Sequence, residues 1–227
     1  MPDHEISSLI ETERTKVRRQ SSRGSLHRDE IGKILDEALV CQVGFNDAGT
    51  TYVLPSTFVR IEDQIYLHGA LGNRMLQIAS SGQEICVSVT LLDGLVLARS
   101  AFHHSMNYRS VLVLGRGFKV NDVDEKLRAL NETVEHLARG RSFDARPPNV
   151  TELRKTLVVR VPIDEGSAKI RSGGPIDDPE DMELPIWAGQ IPLATTAGPA
   201  IAEPDLPRGT EIPSYAIAYP DRTSGTS

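Results

Sequence analysis

The stretch LVLARSAFHHSMNYRSVLVLGRGFKV, from Leu95 to Val120, is the segment from which we interpret the rest of the chain. Two apolar runs within it, Leu95–Ala98 and Val111–Leu114, predict strands. Between them lie eight side chains that hydrogen-bond or carry charge: Arg99, Ser100, His103, His104, Ser105, Asn107, Tyr108 and Arg109. A core does not tolerate such groups unpaired, and a surface turn does not need them. We therefore interpret this segment as one wall of a ligand site.

Length and composition describe a soluble globular protein. The 227 residues suffice for one sizeable domain and an appendage, and the net charge of -6 argues against a nucleic-acid partner. The basic patch Arg14–Arg28 fits a solvated arm better than a nucleic-acid surface. We find no apolar signal core and no run long enough to span a membrane. Cys41 and Cys86 lack metal-ligand spacing. We expect a cytoplasmic protein with reduced thiols and no metal site, nucleic-acid partner or membrane partner.

The order of periodic segments predicts a mainly β domain with flanking helices. Helical spacing predicts a helix over Arg28–Ala38, and a capping box predicts another from Asp122 to Arg139. The predicted strands are Val40–Phe45, Thr51–Ile61, Gln64–Gly69, Glu84–Thr90, Leu95–Ala101, Tyr108–Val120, Thr156–Val161 and Ser167–Arg171, the last as hairpin partner of the one before it. Pro55 requires its strand to be an edge or bulged there. Short connections of this kind indicate an antiparallel barrel.

The composition divides the chain into three parts. Residues 1–24 are polar and weakly patterned, which predicts a mobile N-terminal arm. Residues 25–172 form the predicted barrel domain. Residues 173–227 form a Pro-rich tail, since ten of the fourteen prolines lie between Pro162 and Pro220. We expect this tail to be an extended strap that packs on the barrel, with a frayed end after about Asp221.

The loop Gly69–Arg74 separates the third predicted strand from a short predicted helix, Asn73–Ser80. The free N–H groups at a helix N-terminus attract anions, and Arg74 adds a fixed cation. An ordinary strand-to-helix turn that needs glycine for its dihedral angles explains the same residues. The motif is neither a Walker loop nor GxGxxG. The residues alone leave both interpretations open.

The adjacent pair His103 and His104 is a poor metal site, because neighbouring side chains of an extended chain point to opposite faces. One histidine packs while the other hydrogen-bonds, or one of them lies beside a ligand. No catalytic triad can be assembled from the serines. The conspicuous stretches are rich in Arg, His, Asn and Ser and poor in carboxylates. They suit an anionic ligand such as a phosphorylated cofactor, which would then carry the chemistry.

Three segments, LVLARSAFHHSMNYRSVLVLGRG, TTYVLPSTF and IYLHGALGNRMLQIA, resemble the pyridoxamine 5'-phosphate oxidase-like flavin-binding split barrels. The similarity is strongest to the branch that includes nitroimidazole-resistance proteins. It runs from about Ser25 to Pro192 and includes the tail motif PIWAGQIPL. This resemblance implies a six-stranded split β-barrel, a homodimer, and FMN bound between the subunits.

The resemblance also implies roles for individual residues. The flavin phosphate would be held at His68, Gly69, Asn73 and Arg74. The isoalloxazine edge would lie along Leu54, Pro55, Ser56 and Thr57. The residues that would close the site, from the same or the other subunit, are Arg99, Ser100, His103, Tyr108 and Arg109. His68 would be the catalytic residue, as a proton donor.

The implied function is that of an FMN-dependent oxidoreductase. A reduced nicotinamide would deliver hydride to flavin N5, which would pass it to a small substrate such as a nitro-aromatic compound. The true oxidases carry an Arg/Lys-rich strand where this chain has VLPSTF, which argues against pyridoxamine phosphate as substrate. The alternative is a non-catalytic module that binds or senses flavin or haem, and a deazaflavin is a further candidate ligand.

Overall fold

The computed structural model describes residues 8–219. Residues 1–7 and 220–227 lie outside this description, and with them the predicted frayed end. The helices are α1 (Arg28–Glu37), α2 (Arg74–Ala79), α3 (Val123–Leu137), α4 (Arg141–Asp144), α5 (Val150–Lys155) and α6 (Ser214–Ile217). The strands are β1 (Gly24–Ser25), β2 (Val40–Asp47), β3 (Thr50–Ile61), β4 (Gln64–Ala70), β5 (Glu84–Leu97), β6 (Ser105–Arg116), β7 (Phe118–Lys119), β8 (Thr156–Pro162), β9 (Glu165–Arg171) and β10 (Gly189–Pro192).

The ten strands form one antiparallel sheet in the order β1-β9-β6-β5-β2-β3-β4-β8-β7, with β10 paired to β5. This is four strands more than the resemblance implied, and three of the ten have only two or four residues. Strand β5 replaces two predicted strands, because an irregularity between Leu92 and Gly94 absorbs the turn-like Asp93-Gly94. The prediction of a mainly antiparallel barrel with flanking helices is confirmed.

The predicted β8–β9 hairpin is wrong. Strand β8 pairs with β4 and β7, whereas β9 pairs with β1 and β6. Between the two strands Ile163 is buried, and its N–H donates to the carbonyl oxygen of Asp63 at 2.9 Å. The chain therefore crosses between the two halves of the sheet at this point and does not turn back on itself.

Strand β3 is where the barrel splits. Its first part, up to Thr57, pairs with β2, and its last part, from Phe58 onward, pairs with β4. The end of β4, from His68 to Ala70, pairs only with β8. The two strands therefore part after Phe58, which defines the split β-barrel. Pro55 lies where β3 has a ladder partner on one side only, as its missing N–H requires.

The core lies inside the barrel and beneath two helices. Side chains from β2 to β9 and from α1 form the main cluster, with Phe58, Leu67 and Leu35 fully buried. A second cluster beneath α3 contains Val59 and Ala129. Alternate strand positions point inward, as a period of two demands. The opposite face of β5, β6 and β9 carries Ser88, Thr90, Ser110 and Lys169 beside Leu112, and the N-terminal segment crosses it.

Both chain ends cross the barrel surface. In the N-terminal segment Leu9 is buried in the main core, and Arg14 forms ion pairs with Glu84 and Glu165. Leu9 and Arg14 thus contact the domain, and the mobility predicted for residues 1–24 stays a prediction. The Pro-rich tail adds β10 to the sheet edge and places the Tyr215 hydroxyl against Arg141. Among the described residues, no helix has the length and apolarity needed to cross a membrane.

Candidate functional site

The gap between β3 and β4 gathers the first group of candidate residues. Leu54, Pro55, Ser56 and Thr57 lie on the β3 side, while His68 and Gly69 lie on the β4 side. Helix α2 begins directly beyond the gap: Asn73 is its N-cap and accepts a hydrogen bond from Leu76 N at 3.1 Å. A Cβ on Gly69 would lie 3.0 Å from the Leu76 side chain, so the loop passes close to α2.

Arg74 places a positive charge beside the gap. Its guanidinium carbon lies 4.3 Å from the centre of the Tyr52 ring, and Nη1 lies 3.4 Å from Oδ2 of Asp47. The Arg74 side chain is 54% exposed. A surface ion pair of this kind contributes at most about 1 kcal/mol, so an incoming anion can replace Asp47 as the partner. The aromatic ring holds the guanidinium in place for that exchange.

His68 carries a buried polar atom without a partner. Its Nδ1 has no hydrogen-bond partner among the described residues. Buried polar atoms are nearly always paired, so this one points to a group that binds here. Burial lowers the pKa of His68 below its ordinary value, which makes the neutral imidazole the main form at neutral pH. Neutral imidazole donates one hydrogen bond and accepts another.

The β3 side of the gap is apolar and uncovered. Val53 is 63% exposed, and its neighbour Leu54 is also exposed. Consecutive residues of a strand face opposite sides, so this part of β3 lacks cover on both faces. A flat ring system or a second protein surface would bury these side chains.

The hairpin tip between β5 and β6 holds the second group of candidates. The Arg99 side chain donates through Nη1 to the carboxylate of Asp177 in the tail at 2.8 Å, and the Arg99 backbone N–H donates to the same carboxylate at 2.8 Å. The Asp177 side chain is 1% exposed. Burial acts to raise the pKa of Asp177, but the hydrogen bonds from Arg99 and from the Ser100 N–H outweigh it and hold that pKa below its ordinary value.

The two histidines at the tip differ in their surroundings. His103 Nε2 lies 3.0 Å from Oδ2 of Asp178, and this hydrogen bond raises the pKa of His103. His104 Nδ1 lies 3.0 Å from the carbonyl oxygen of Ser100, and its ring is exposed. Because a carbonyl oxygen only accepts, His104 Nδ1 carries the proton of this hydrogen bond, and in the neutral ring Nε2 keeps its lone pair.

The structure does not bring the hairpin tip to the gap within one chain. Strand β2 lies between β3 and β5, and β5 pairs with it only near Ser88. Leu97, at the tip, is nine residues further along β5, which corresponds to about 30 Å of strand. The gap and the tip therefore lie apart within one chain.

Arg109 is not free to meet an anion. Its Nε and Nη2 donate to Asp93 at 2.9 and 2.7 Å, and Nη2 also donates to Glu37 at 2.8 Å. These bonds join the β5 irregularity to the end of α1. The prediction of a carboxylate-poor wall was wrong for this hairpin, because its carboxylate partners come from distant parts of the chain. Tyr108, the residue before Arg109 on β6, lies opposite Leu92 of β5.

Sequence reasoning missed three residues of this region. Asp47 and Tyr52 flank the β2–β3 turn, and Asp177 lies in the tail. A turn-flanking aspartate and a strand tyrosine have no local pattern that marks a site. The pair Asp177-Asp178 was a visible acidic signal in the tail, and it complements the basic hairpin. Among residues 8–219 no group of three or more His, Cys, Asp or Glu is arranged to hold a metal ion.

Comparison with known proteins identifies the family. The model of the pyridoxamine 5'-phosphate oxidase family matches residues 27–170, and the chain belongs to that family. None of the curated proteins matches this chain significantly.

Solved structures of two relatives share nearly the whole fold. The flavocytochrome Anf3 from Azotobacter vinelandii is 35% identical, with 90% of this chain and 95% of that chain covered and a TM-score of 0.86. The FAD and haem binding protein from Mycobacterium smegmatis is 33% identical, with 85% and 95% covered and a TM-score of 0.82.

A protein from Bacteroides thetaiotaomicron assigned to 5-nitroimidazole antibiotic resistance is 27% identical, with 63% of this chain and 83% of that chain covered and a TM-score of 0.52. The family and branch that the motifs predicted are therefore confirmed.

Proposed function

We propose that this chain is a flavin-binding redox protein whose cofactor lies at the gap between β3 and β4. The observation that carries the proposal is the buried, unpartnered Nδ1 of His68 in that gap. Arg74 supplies a positive charge for a phosphate, and the exposed apolar surface at Val53 supplies a face for a flat ring. The names of two relatives that share most of this chain, a flavocytochrome and a FAD and haem binding protein, support the same class.

The residues fit the part that FMN and FAD have in common. One phosphate would meet Arg74 and the free amide NH₂ of Asn73, whose oxygen is already used as the helix cap. We propose FMN as the minimal ligand on this basis. A bound flavin supplies hydride transfer between a reduced nicotinamide and a small oxidised substrate, for which a nitro-aromatic compound is our candidate.

His68 has a defined task in this proposal. Since burial lowers its pKa, the ring is neutral and its Nδ1 can make one hydrogen bond to the bound ligand. A neutral imidazole gives up its proton far less readily than an imidazolium. The role of proton donor therefore requires that ligand binding restore the charge of the ring. Ligand binding and proton uptake by His68 would then be linked.

We further propose that two copies of the chain form the working unit. The gap lacks cover at Val53, and one chain's hairpin tip lies too far from its own gap to supply it. A partner's tip would supply this cover. Substitution Val53→Glu should convert the dimer to monomers in light scattering, while Ile10→Glu, at an exposed apolar residue of the N-terminal segment, should leave it unchanged. A monomeric wild-type protein that retains flavin would contradict the dimer.

The two cysteines agree with a reducing compartment, and we place the protein in the cytoplasm. Both are free thiols. Burial raises the pKa of Cys41 to about 12, which keeps this thiol protonated and unreactive. A small-molecule substrate, a nicotinamide donor and a second copy are the partners that the proposal requires.

Haem binding at the hairpin tip is a second candidate function, and the geometry of His104 favours it. The hydrogen bond between Nδ1 and the Ser100 carbonyl fixes the ring, as partners of metal-ligating histidines do, and leaves Nε2 available to iron. Phe102, 86% exposed, offers an apolar surface beside it. His103 is less suited because Asp178 occupies its Nε2. A bound haem would supply one-electron transfer to the proposed flavin partner.

The visible absorption spectrum tests both functions. The purified protein is incubated with FMN, FAD or haemin and desalted. Flavin bands should remain with wild type and disappear with Arg74→Ala. A haem band should disappear with His104→Ala and remain with His103→Ala. A haem band that persists in both variants would contradict haem binding at the tip. Absence of retained flavin in wild type would overturn the main proposal.

Turnover is a separate question from binding. Reduced nicotinamide should bleach the flavin anaerobically, and a nitro-aromatic acceptor should restore its colour. Failure of every donor to bleach a retained flavin would identify the chain as a binding module and not an enzyme.

A further inference from the structure

A cavity of about 390 Å³ lies between the N-terminal segment and the outer face of the sheet. Residues 14–19 form one wall, and strands β5, β6 and β9 form the other. The residues that line it are Arg14, Thr15, Lys16, Val17, Arg18, Arg19, Ser88, Thr90, Ser110, Val111, Leu112, Ser167 and Lys169. Its size is at the lower end of that of small-molecule sites. We refer to it as the basic pocket.

The lining of the basic pocket is strongly positive. It includes five arginine or lysine side chains and no carboxylate. Arg14 and Arg18 have acidic partners outside the lining. Arg19 and Lys169 have no carboxylate oxygen within 4.0 Å in the part of the chain that the structure describes. Two cations without counter-charges facing one cavity favour an anionic occupant.

The floor of the pocket is a row of polar side chains in register. Thr90 of β5 pairs with Ser110 of β6, which pairs with Lys169 of β9. Neighbouring strands lie about 4.8 Å apart, so the three side chains form a row about 10 Å long. The Ser110 hydroxyl donates to the Lys169 carbonyl oxygen at 3.2 Å, so the Thr90 hydroxyl and the Lys169 ammonium group are the donors left for phosphate oxygens.

A buried charge lies beneath one end of the row. Arg171 is two residues beyond Lys169 on the same strand and faces the same side of the sheet. It is only 5% exposed, and its partners are the neutral oxygens of Asn107, Gly173 and Gly174. Its Nε has no partner among residues 8–219. Burial of a charge without a counter-charge is costly unless something else compensates it.

The charge of Arg23 adds to that of Arg171. Burial and this neighbouring cation lower the pKa of Arg171, although a guanidinium remains protonated at neutral pH. The positive potential of the pocket therefore extends beyond the side chains that line it. A ligand with more than one negative charge would satisfy more of this potential than a single carboxylate would.

We propose that the basic pocket binds the diphosphate of a nucleotide, with its phosphates on Lys169, Arg19 and the Thr90 hydroxyl. Two sources share this chemistry: a free nucleoside diphosphate and the adenylate half of a dinucleotide cofactor. Pro55, at the gap, pairs with Gln42, and Gln42 pairs in turn with Ser88, at the pocket. The gap and the pocket therefore lie side by side on one face of the sheet, so a single dinucleotide can reach both. Two strand spacings, about 10 Å, separate them. Only this second source rests on the proposed flavin site.

Binding of ADP, FMN and FAD to the full chain, measured by titration calorimetry, tests the proposal. The variants are Lys169→Met and Arg19→Met, with Lys33→Met on the exposed face of α1 as control. ADP should bind wild type and the control equally, and each pocket variant should weaken it at least tenfold. The affinity should fall steeply with added salt. Melting temperatures of all variants should match wild type.

The pattern across the three ligands identifies the source. ADP binding with equal FMN and FAD affinities identifies a free nucleotide. Tighter binding of FAD than of FMN, with the difference removed by Lys169→Met, identifies a dinucleotide. If ADP does not bind, or if both pocket variants bind ADP as tightly as wild type does, the proposed nucleotide site is overturned. ADP binding without any flavin binding would retain the pocket and reject the flavin function, so the two failures are distinguishable.

Discussion

Replacement of Arg74 by alanine should weaken flavin binding without unfolding the protein. The side chain is half exposed, and its ion pair with Asp47 and its contact with Tyr52 each contribute at most about 1 kcal/mol to the fold. A charge-assisted hydrogen bond to a phosphate contributes roughly 1.5–3 kcal/mol. Since 1.4 kcal/mol corresponds to a factor of ten, the dissociation constant should rise about 10- to 150-fold.

Asp47 provides a test of opposite sign. Its carboxylate competes with the phosphate for the same guanidinium, so Asp47→Asn should tighten flavin binding by a few-fold. General damage to the site cannot produce a gain of affinity. The pair of substitutions therefore separates the electrostatic argument from an effect of misfolding.

Fluorescence quenching of FMN by the purified protein measures both affinities. Arg128→Ala is the matched control, because Arg128 is 58% exposed and forms one ion pair, with Glu62 at 3.0 Å, away from the gap. Equal affinities of wild type and Arg74→Ala would refute the phosphate assignment. Equal losses in Arg74→Ala and Arg128→Ala would show that the effect is one of net charge.

Three further predictions concern the fold and its response to pH. Asp177→Ala should lower the free energy of unfolding more than Asp178→Ala, since it leaves a partly buried guanidinium unpaired, whereas Asp178→Ala, at a 60% exposed side chain, should cost under about 1 kcal/mol; urea titration measures both. The pKa of His68 in the folded state lies below the unfolded value of 6.5, so its contribution to stability is complete above pH 6.5 and falls as the pH drops through the folded pKa. His68→Gln should therefore make the melting temperature less dependent on pH between pH 7 and 5. Gly117→Ala should destabilise by about 1–3 kcal/mol, because its Cβ would lie 2.6 Å from the Ala79 carbonyl oxygen, whereas Gly72→Ala meets nothing within 4 Å and should leave the melting temperature unchanged.

Each of these three has a clear contrary outcome. Equal losses of unfolding free energy in Asp177→Ala and Asp178→Ala would mean that the ion pair between Arg99 and Asp177 does not stabilise the fold more than the exposed Asp178 does. A pH profile that survives the histidine substitution would assign the titration to another group. An unchanged melting temperature for Gly117→Ala would mean that the space between Gly117 and the Ala79 carbonyl oxygen, at the end of α2, can hold an added methyl group.

Local features of the sequence were enough for most of the elements and for part of the site. The helices α1 and α3 and the strands β2, β3 and β4 follow from periodicity and turn residues, which depend on neighbours in the chain. The glycine loop and Arg74 predicted an anion site beside a helix N-terminus for the same reason. Helix α2 has only six residues, so the cation and the strand gap, and not the helix itself, support that site.

The partners of charged residues could not be read from the sequence. Arg99 meets Asp177 across 78 positions, and Arg109 meets Glu37 across 72. No local pattern distinguishes an arginine that awaits a ligand from one that a distant carboxylate already neutralises. This is why the hairpin looked like an anion-binding wall, while the unpaired cations Arg19 and Lys169 were attributed to a solvated arm or passed over.

The sequence by itself determined the antiparallel barrel, its family and the positions of most strands, because strand period, turn chemistry and ordered motifs are written along the chain. Only the tertiary structure decided which strands pair, where β3 leaves β4, and which charges remain without partners. Those properties depend on register and on contacts between distant residues, and a one-residue shift in register would move every side chain of a strand to the other face. The gap at His68 and the basic pocket exist only at that level.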